Sequence, residues 1–106
     1  MASSKRDKAL LAEITGVARR LARGRLAAAE QQEAAATLSQ VAQGRADLLA
    51  ESAGLAIGSQ EGGRDEARHL RAAQLCVDAG ADLSLIPQWV EEGRRRAGAA
   101  PSALRR

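Results

Sequence analysis

The chain has 106 residues, a net charge of +3 and 25 alanines, with Trp89 as its single aromatic residue and neither Phe nor Tyr. That length suits one domain, and four Val, three Ile and two Thr are too few of the β-branched residues that strands favour, which argues against a sandwich or barrel. Ala, Leu, Arg, Gln and Glu dominate instead, the residues that lose least rotamer freedom in a helix, so the expected fold class is all-α, a small helical bundle built from two helical hairpins and a C-terminal capping helix.

Taken in chain order, residues 1–5 are expected to be a loose N-terminus and 6–97 a single all-α domain. A first helix is expected from about Lys8 to Arg23, because Leu10, Ile14, Val17 and Leu21 recur at 4-3-4 spacing and make one apolar stripe. Gly24 is its expected stop. A second helix runs from about Leu26 to Gln43 through Leu38 and Val41, with Gly44 as a candidate C-cap, since glycine tolerates the left-handed conformation that ends helices. A third covers about Ala46 to Ile57 on Leu48, Leu49 and Leu55. No Pro or strong N-cap forces a break at Gly44, so one long helix across it is the alternative. The Gly58–Gly63 stretch, with three glycines in six residues, reads as a loop.

Asp65 and Glu66 then sit where a helix N-terminus favours negative charge, and a fourth helix is expected to run to about Ala79, closed by Ala79-Gly80-Ala81-Asp82. The fifth helix, about 84–97, takes Ser84 as N-cap and Pro87 in its first turn, where a missing N–H costs nothing. Residues 98–106 are expected to be a loose C-terminus. Leu10-Leu-Ala-Glu-Ile-Thr-Gly-Val-Ala18 and Leu48-Leu-Ala-Glu-Ser-Ala-Gly-Leu-Ala56 agree at six of nine positions at an offset of 38. Two hairpins, 8–43 and 46–79, fit that offset, in the manner of helical-hairpin repeats. The paired Gly16 and Gly54 suggest a close helix crossing.

The sequence offers little for catalysis. Glu66-Ala-Arg-His69 has the Glu-x-x-His spacing used in ferritin-like di-iron bundles, but a single copy with Ala28 and Gln31 at the paired positions leaves the site without its other carboxylates. His69 and Cys76 lie two turns apart, about 10 Å, beyond nucleophile–base contact. The glycines at 58, 62 and 63 follow no strand and precede no Gly-Lys-Ser, so they make no phosphate loop. The chain is therefore expected not to be an enzyme, with no cofactor and no metal.

Two binding surfaces remain. Excluding Ala, only 22 residues are large and apolar, a thin core for one chain, which points to a homo-oligomer or another protein partner. The candidate interface residues are Leu10, Ile14, Val17, Leu21, Leu48, Leu49 and Trp89, the last because interfaces favour Trp. The second surface is basic. Arg19, Arg20, Arg23 and Arg25 cluster near the end of the first helix and Arg94, Arg95 and Arg96 near the C-terminus, and arginine pairs bidentately with phosphate and carboxylate. These are candidates for nucleic-acid binding. Ala12-Glu-Ile-Thr-Gly-Val17 resembles the centre of a helix-turn-helix but lacks its polar turn. Ala73–Asp82 resembles the end of an ankyrin repeat over about ten residues, without the Thr-Pro-Leu-His turn. The stretch from Arg71 to Arg96, with Gly-Ala-Asp, Ile-Pro-Gln-Trp and Glu-Glu-Gly-Arg-Arg-Arg, resembles small all-helical actinobacterial proteins, a resemblance that implies no activity. The leading expectation is a non-enzymatic helical protein–protein interaction or assembly protein that self-associates. An Arg-mediated nucleic-acid-binding accessory protein is the alternative. No apolar run approaches the ~20 residues that span a bilayer. Glu13 interrupts the apolar stretch behind Lys5, Arg6 and Lys8, which argues against a secretory signal. Cys76, alone, permits no internal disulfide. A cytoplasmic location is expected.

Overall fold

A computed structural model describes residues 5–59 and 66–104, with side chains described for 5–59 and 67–98. Five α-helices are formed among them: α1 (Lys5–Leu21), α2 (Ala28–Ala42), α3 (Ala46–Ser59), α4 (Glu66–Asp78) and α5 (Ile86–Leu104), the last preceded by a 3-10 turn over Leu83–Leu85. No strand occurs among the described residues, so the all-α bundle read from composition is the fold. α1 with α2 and α3 with α4 are the two hairpins, and α5 closes the bundle.

The hairpins keep the 38-residue offset in space. α1 ends at Leu21 and α3 at Ser59, while α2 begins at Ala28 and α4 at Glu66. The second helices bury equivalent positions, Ala34 with Ala72, Ala35 with Ala73, and Leu38 with Cys76.

α2 and α3 are separate helices. Gln43 (φ 55°) and Gly44 (φ 77°) are both left-handed, so the reversal begins one residue before the glycine expected to carry it. The Gln43 N–H bonds back to the Ser39 and Gln40 carbonyls. After α4, Gly80 (φ 112°) donates to the Val77 carbonyl and Ala81 to that of Cys76, the paired backward bonds of a Schellman cap. The Asp82 N–H then reaches the Ala46 carbonyl at 3.1 Å, tying this turn to the start of α3. The capping side chain before α5 is Asp82 and not Ser84. Its Oδ1 accepts from the Ser84 amide and hydroxyl. Pro87 does fall in the first turn of α5, and that helix continues to Leu104, beyond the stop expected at residue 97, with Pro101 inside it. Gly58 and Ser59, expected to open a loop, belong to α3, and residues 1–4, 60–65 and 105–106 lie outside the described residues.

α1 ends at Leu21, before Gly24, and its free carbonyls are met from another helix. Arg71 on α4 donates through Nε to the Ala22 carbonyl at 3.0 Å and through Nη2 to that of Arg23 at 3.3 Å. Arg68 reaches the Arg19 carbonyl at 3.4 Å. Cationic donors at a helix C-terminus satisfy orphan acceptors and oppose the negative end of the dipole. At the other end of α1, Arg45 binds both oxygens of Asp7 (2.9 and 3.2 Å) and both of Asp47 (3.1 and 3.0 Å), joining the starts of α1 and α3.

α3 is the central helix, packed by α5, α4 and α1. Its residues Leu48, Leu49, Ala50, Ser52, Ala53, Gly54 and Gly58 are all buried. Ten of the seventeen buried apolar residues of the core are alanines, so helices lie close together and a small stock of Leu and Ile suffices to fill the space between them. The approach is closest between α3 and α5. A methyl group built on Gly54 would fall on the Trp89 Cβ and 2.9 Å from the Ile86 carbonyl oxygen. One on Gly58 would fall on the Val90 carbonyl oxygen and 2.8 Å from the Arg94 nitrogen. One on Gly93 would lie 2.7 Å from the Leu55 oxygen. The expected close crossing is therefore real at Gly54. At its repeat partner Gly16 nothing stands within 4 Å.

Candidate interaction surfaces

The apolar residues expected to form an intermolecular interface are largely spent within the chain. Ile14 (0% exposed), Val17 (9%), Leu48 (3%) and Leu49 (2%) are core residues, and Leu10 and Leu21 are half-buried against that core. Small residues bury little area each, but ten buried alanines let the helices close over these stripes within one chain. Large apolar residues that do reach the surface are Leu70 (44%) and Leu83 (63%), which no sequence pattern distinguished.

What α1 leaves outward is a face of small residues. Ala9, Ala12 and Gly16 are exposed, with Glu13 and Arg20 alongside, successive residues of one helical face. On α3 the position equivalent to Gly16 is Gly54, and there α5 lies against it. The second hairpin thus has a helix over its first member, while the matching place on the first hairpin is open.

The basic residues divide into two groups. On α5, Arg94 pairs with Glu91 at 3.1 Å, Arg96 with Glu92 at 2.7 Å, and Arg95 also contacts Glu92. These three are exposed and locally neutralised, so they do not form the free basic patch expected of them. Arg19, Arg20, Arg23 and Arg25 are exposed and form no ion pair among the described residues. Arg68 and Arg71 bring two more guanidinium groups to the same end of the molecule. Glu30 and Glu33 stand beside Leu21 and Leu26 on the adjoining flank, and the Glu30 carboxylate is engaged by the Ala27 N–H at 2.9 Å.

Trp89 is half-buried. Its Cβ sits over Gly54, and the residue lines a cleft of about 420 Å³ where α1, α3 and α5 meet. It is thus both part of the α3–α5 seam and a wall of a surface cavity.

Polar groups inside the bundle are few. The Thr15 and Ser52 hydroxyls are 2.9 Å apart, and Ser52 also bonds the Cys76 thiol, so one polar thread crosses from α1 through α3 to α4. Burial pushes the Cys76 thiol up to about 11, with the Ser52 bond opposing the rise. That is the wrong direction for a nucleophile, which works as a thiolate. His69 has a buried Nδ1 without a hydrogen-bond partner. The Glu66 side chain lies outside the described residues. Among those described, no group of three or more His, Cys, Asp or Glu is gathered in metal-binding range, and no helix is long and apolar enough to cross a membrane.

Comparison of this chain with known protein families, curated proteins and solved structures finds no match. Sequence reasoning overlooked three functional or structural side chains. Arg45 carried a legible signal, an aspartate two residues on, but its second partner is 38 residues away. Arg71 and Glu51 carried none.

Proposed function

We propose that this chain is a non-enzymatic helical interaction protein, and that it self-associates by laying a helix of a second copy along the outer face of α1. The observation that carries this reading is the unequal fate of two equivalent glycines. Gly54 is covered by α5, whereas among the described residues a methyl group built on Gly16 meets nothing within 4 Å beyond its own stretch of α1. Ala9, Ala12 and Gly16 permit a close helix approach, and Glu13 and Arg20 on the same face give a two-fold pair opposite charges to match. The test is molar mass by light scattering after size exclusion, across a concentration series, for the native chain and Gly16→Leu. A mass of two or more times 11.1 kDa that falls to one in Gly16→Leu supports the reading. A monomer at every concentration, or an assembly indifferent to Gly16→Leu, refutes it. The variant is clean because open space at Gly16 lets leucine enter without disturbing the fold.

The arginine-rich end supports a second reading, attachment to the phosphate backbone of nucleic acid. Four exposed arginines without acid partners there contrast with the three on α5 that are paired. If three or four phosphates are contacted, log affinity should fall against log salt with a slope of about −3 to −4. Reversing Arg19, Arg20 and Arg23 to Glu should abolish binding of a labelled duplex in an anisotropy titration, while reversing Arg94, Arg95 and Arg96 should leave most of it. Equal losses from the two triples would refute this surface.

A further inference from the structure

The cleft beside Trp89 brings charged groups of both signs together over apolar side chains. α1 contributes Lys8 and Leu11, α3 contributes Leu48 and Glu51, and α5 contributes Trp89 and Arg96. Asp7 of α1 also lines it, with its carboxylate held by Arg45. At about 420 Å³ the cleft lies in the lower part of the range of small-molecule sites, which combine apolar walls with a few placed polar groups.

The charges within it are unsatisfied in a specific way. Glu51 is half-buried and makes no hydrogen bond or ion pair among the described residues, and burial raises its carboxyl above the ordinary range although Arg96 opposes the rise. Lys8 is likewise without an ion pair among the described residues, and Arg96 spends only its Nε, on Glu92. A sheltered carboxylate therefore faces two cations with donors to spare across an aliphatic and aromatic floor made by Leu11, Leu48 and Trp89. A lone cation would meet Lys8 and Arg96, and a lone anion would meet Glu51. A molecule carrying both charges on a short apolar body satisfies all three.

We propose that this cleft is a binding site for a small zwitterion, an α-amino acid with an apolar side chain. Its ammonium group donates to the Glu51 carboxylate and lies near the Trp89 ring, its carboxylate accepts from Lys8 and Arg96, and its side chain rests on Leu11 and Leu48. The site is independent of the outer face of α1 and of the arginine-rich end, so its fate does not depend on either reading of those surfaces.

Trp89 is the only aromatic residue in the chain, so intrinsic fluorescence reports on this one position, at the cleft wall and the α3–α5 seam. The experiment titrates the full chain with L-leucine, with 3-methylbutylamine, which lacks the carboxylate, and with 4-methylpentanoate, which lacks the ammonium group. A saturable change with leucine at a Kd on the order of 1 mM or tighter is expected, weakened about tenfold or more for each truncated probe, since a charge-assisted hydrogen bond is worth about 1.5–3 kcal/mol. Glu51→Gln should weaken leucine by a similar factor while leaving 4-methylpentanoate unaffected, and circular dichroism checks that the variant is folded. No saturable change with leucine overturns the proposal. So does equal binding of leucine and 3-methylbutylamine, which would mark a simple cation site, or unchanged affinity in a folded Glu51→Gln chain.

Discussion

Gly58→Ala and Gly16→Ala are the same chemical change in two helices related by the internal offset, and they should act in opposite directions. At Gly58 the added methyl meets backbone on the facing helix, namely the Val90 carbonyl oxygen, the Arg94 nitrogen at 2.8 Å and the Gly93 Cα at 3.0 Å. Ordinary contact begins at 3.4 Å, and the Val90 carbonyl oxygen is the nearest obstacle, so α3 and α5 must part by roughly 1 Å or more, and no side chain can rotate to relieve them. Overpacking typically costs about 1–3 kcal/mol, and a backbone obstruction belongs at the upper end. Replacing a mid-helix glycine by alanine returns about 1 kcal/mol of helix propensity. The net for Gly58→Ala is a destabilisation of about 2 kcal/mol, or a fall in Tm of roughly 8–16 °C for a domain of this size. Gly16→Ala meets nothing within the chain and, at concentrations where the chain is monomeric, should gain about 0.5–1 kcal/mol, raising Tm by a few degrees. Thermal and urea unfolding followed by far-ultraviolet circular dichroism at such concentrations measure both. If Gly58→Ala stabilises the chain, the close α3–α5 seam is wrong.

Cys76, buried and with its thiol raised to about 11, should react with a disulfide reagent near pH 8 at least ~100-fold more slowly in the folded chain than in urea, because the thiolate fraction and the access both fall; comparable rates would contradict its burial. Glu51 has a folded-state pKa raised by burial, so its contribution to stability is full below the unfolded carboxyl value and declines as pH rises through the folded one. Glu51→Gln should therefore compare more favourably with the native chain at about pH 7 than at about pH 3.5, as read from urea midpoints at the two values, and a difference that does not vary with pH would refute the assignment. Arg71→Met removes the donors to the Ala22 and Arg23 carbonyls and should cost about 1 kcal/mol or more, whereas Arg25→Met should stay within about 0.5 kcal/mol. Equal effects in chemical unfolding would show that the α1 terminus does not need its cap from α4.

The parts of this structure legible in the sequence are those governed by local rules. Helix content follows from Ala, Leu, Arg and Glu, the α4 stop from Gly80, and the hairpin register from the repeated Leu-Leu-Ala-Glu segments, whose offset the helix boundaries reproduce. The parts that were not legible depend on what arrives from a distance. α1 tightens to a close through Ala22 and Arg23 before Gly24, and the donors that meet its last carbonyls, Arg68 and Arg71, come from nearly fifty residues on. Gly16 and Gly54 are indistinguishable as letters, and differ only because a helix follows the second hairpin and returns over α3 while none returns over α1. The apolar stripes of α1 and α3 were correctly drawn, but a stripe does not say whether its cover is the same chain or another. Alanine decided that, by letting α1, α3 and α4 draw close enough to cover them. The arginine clusters also looked alike in sequence, and only the intrahelical acids Glu91 and Glu92 separate the quenched set on α5 from the open set on α1.

An alanine-lined core raises a difficulty of alignment. Methyl groups repeated along a helix present almost the same relief after a slide of one turn, so packing alone discriminates weakly between neighbouring axial positions. The hydroxyl-to-hydroxyl-to-thiol thread of Thr15, Ser52 and Cys76 does discriminate. A one-turn slide of α1 along α3, about 5.4 Å, would part the buried Ser52 hydroxyl from Thr15, at about 1–3 kcal/mol for a buried polar group left unmet, and a slide of α4 would carry the Cys76 thiol away from Ser52. The glycines of α3 act on the other side in the same sense, since a slide of α5 would bring a Cβ against backbone. In a bundle whose knobs are nearly all the same size, three polar atoms and a notch hold the helices in their places along one another.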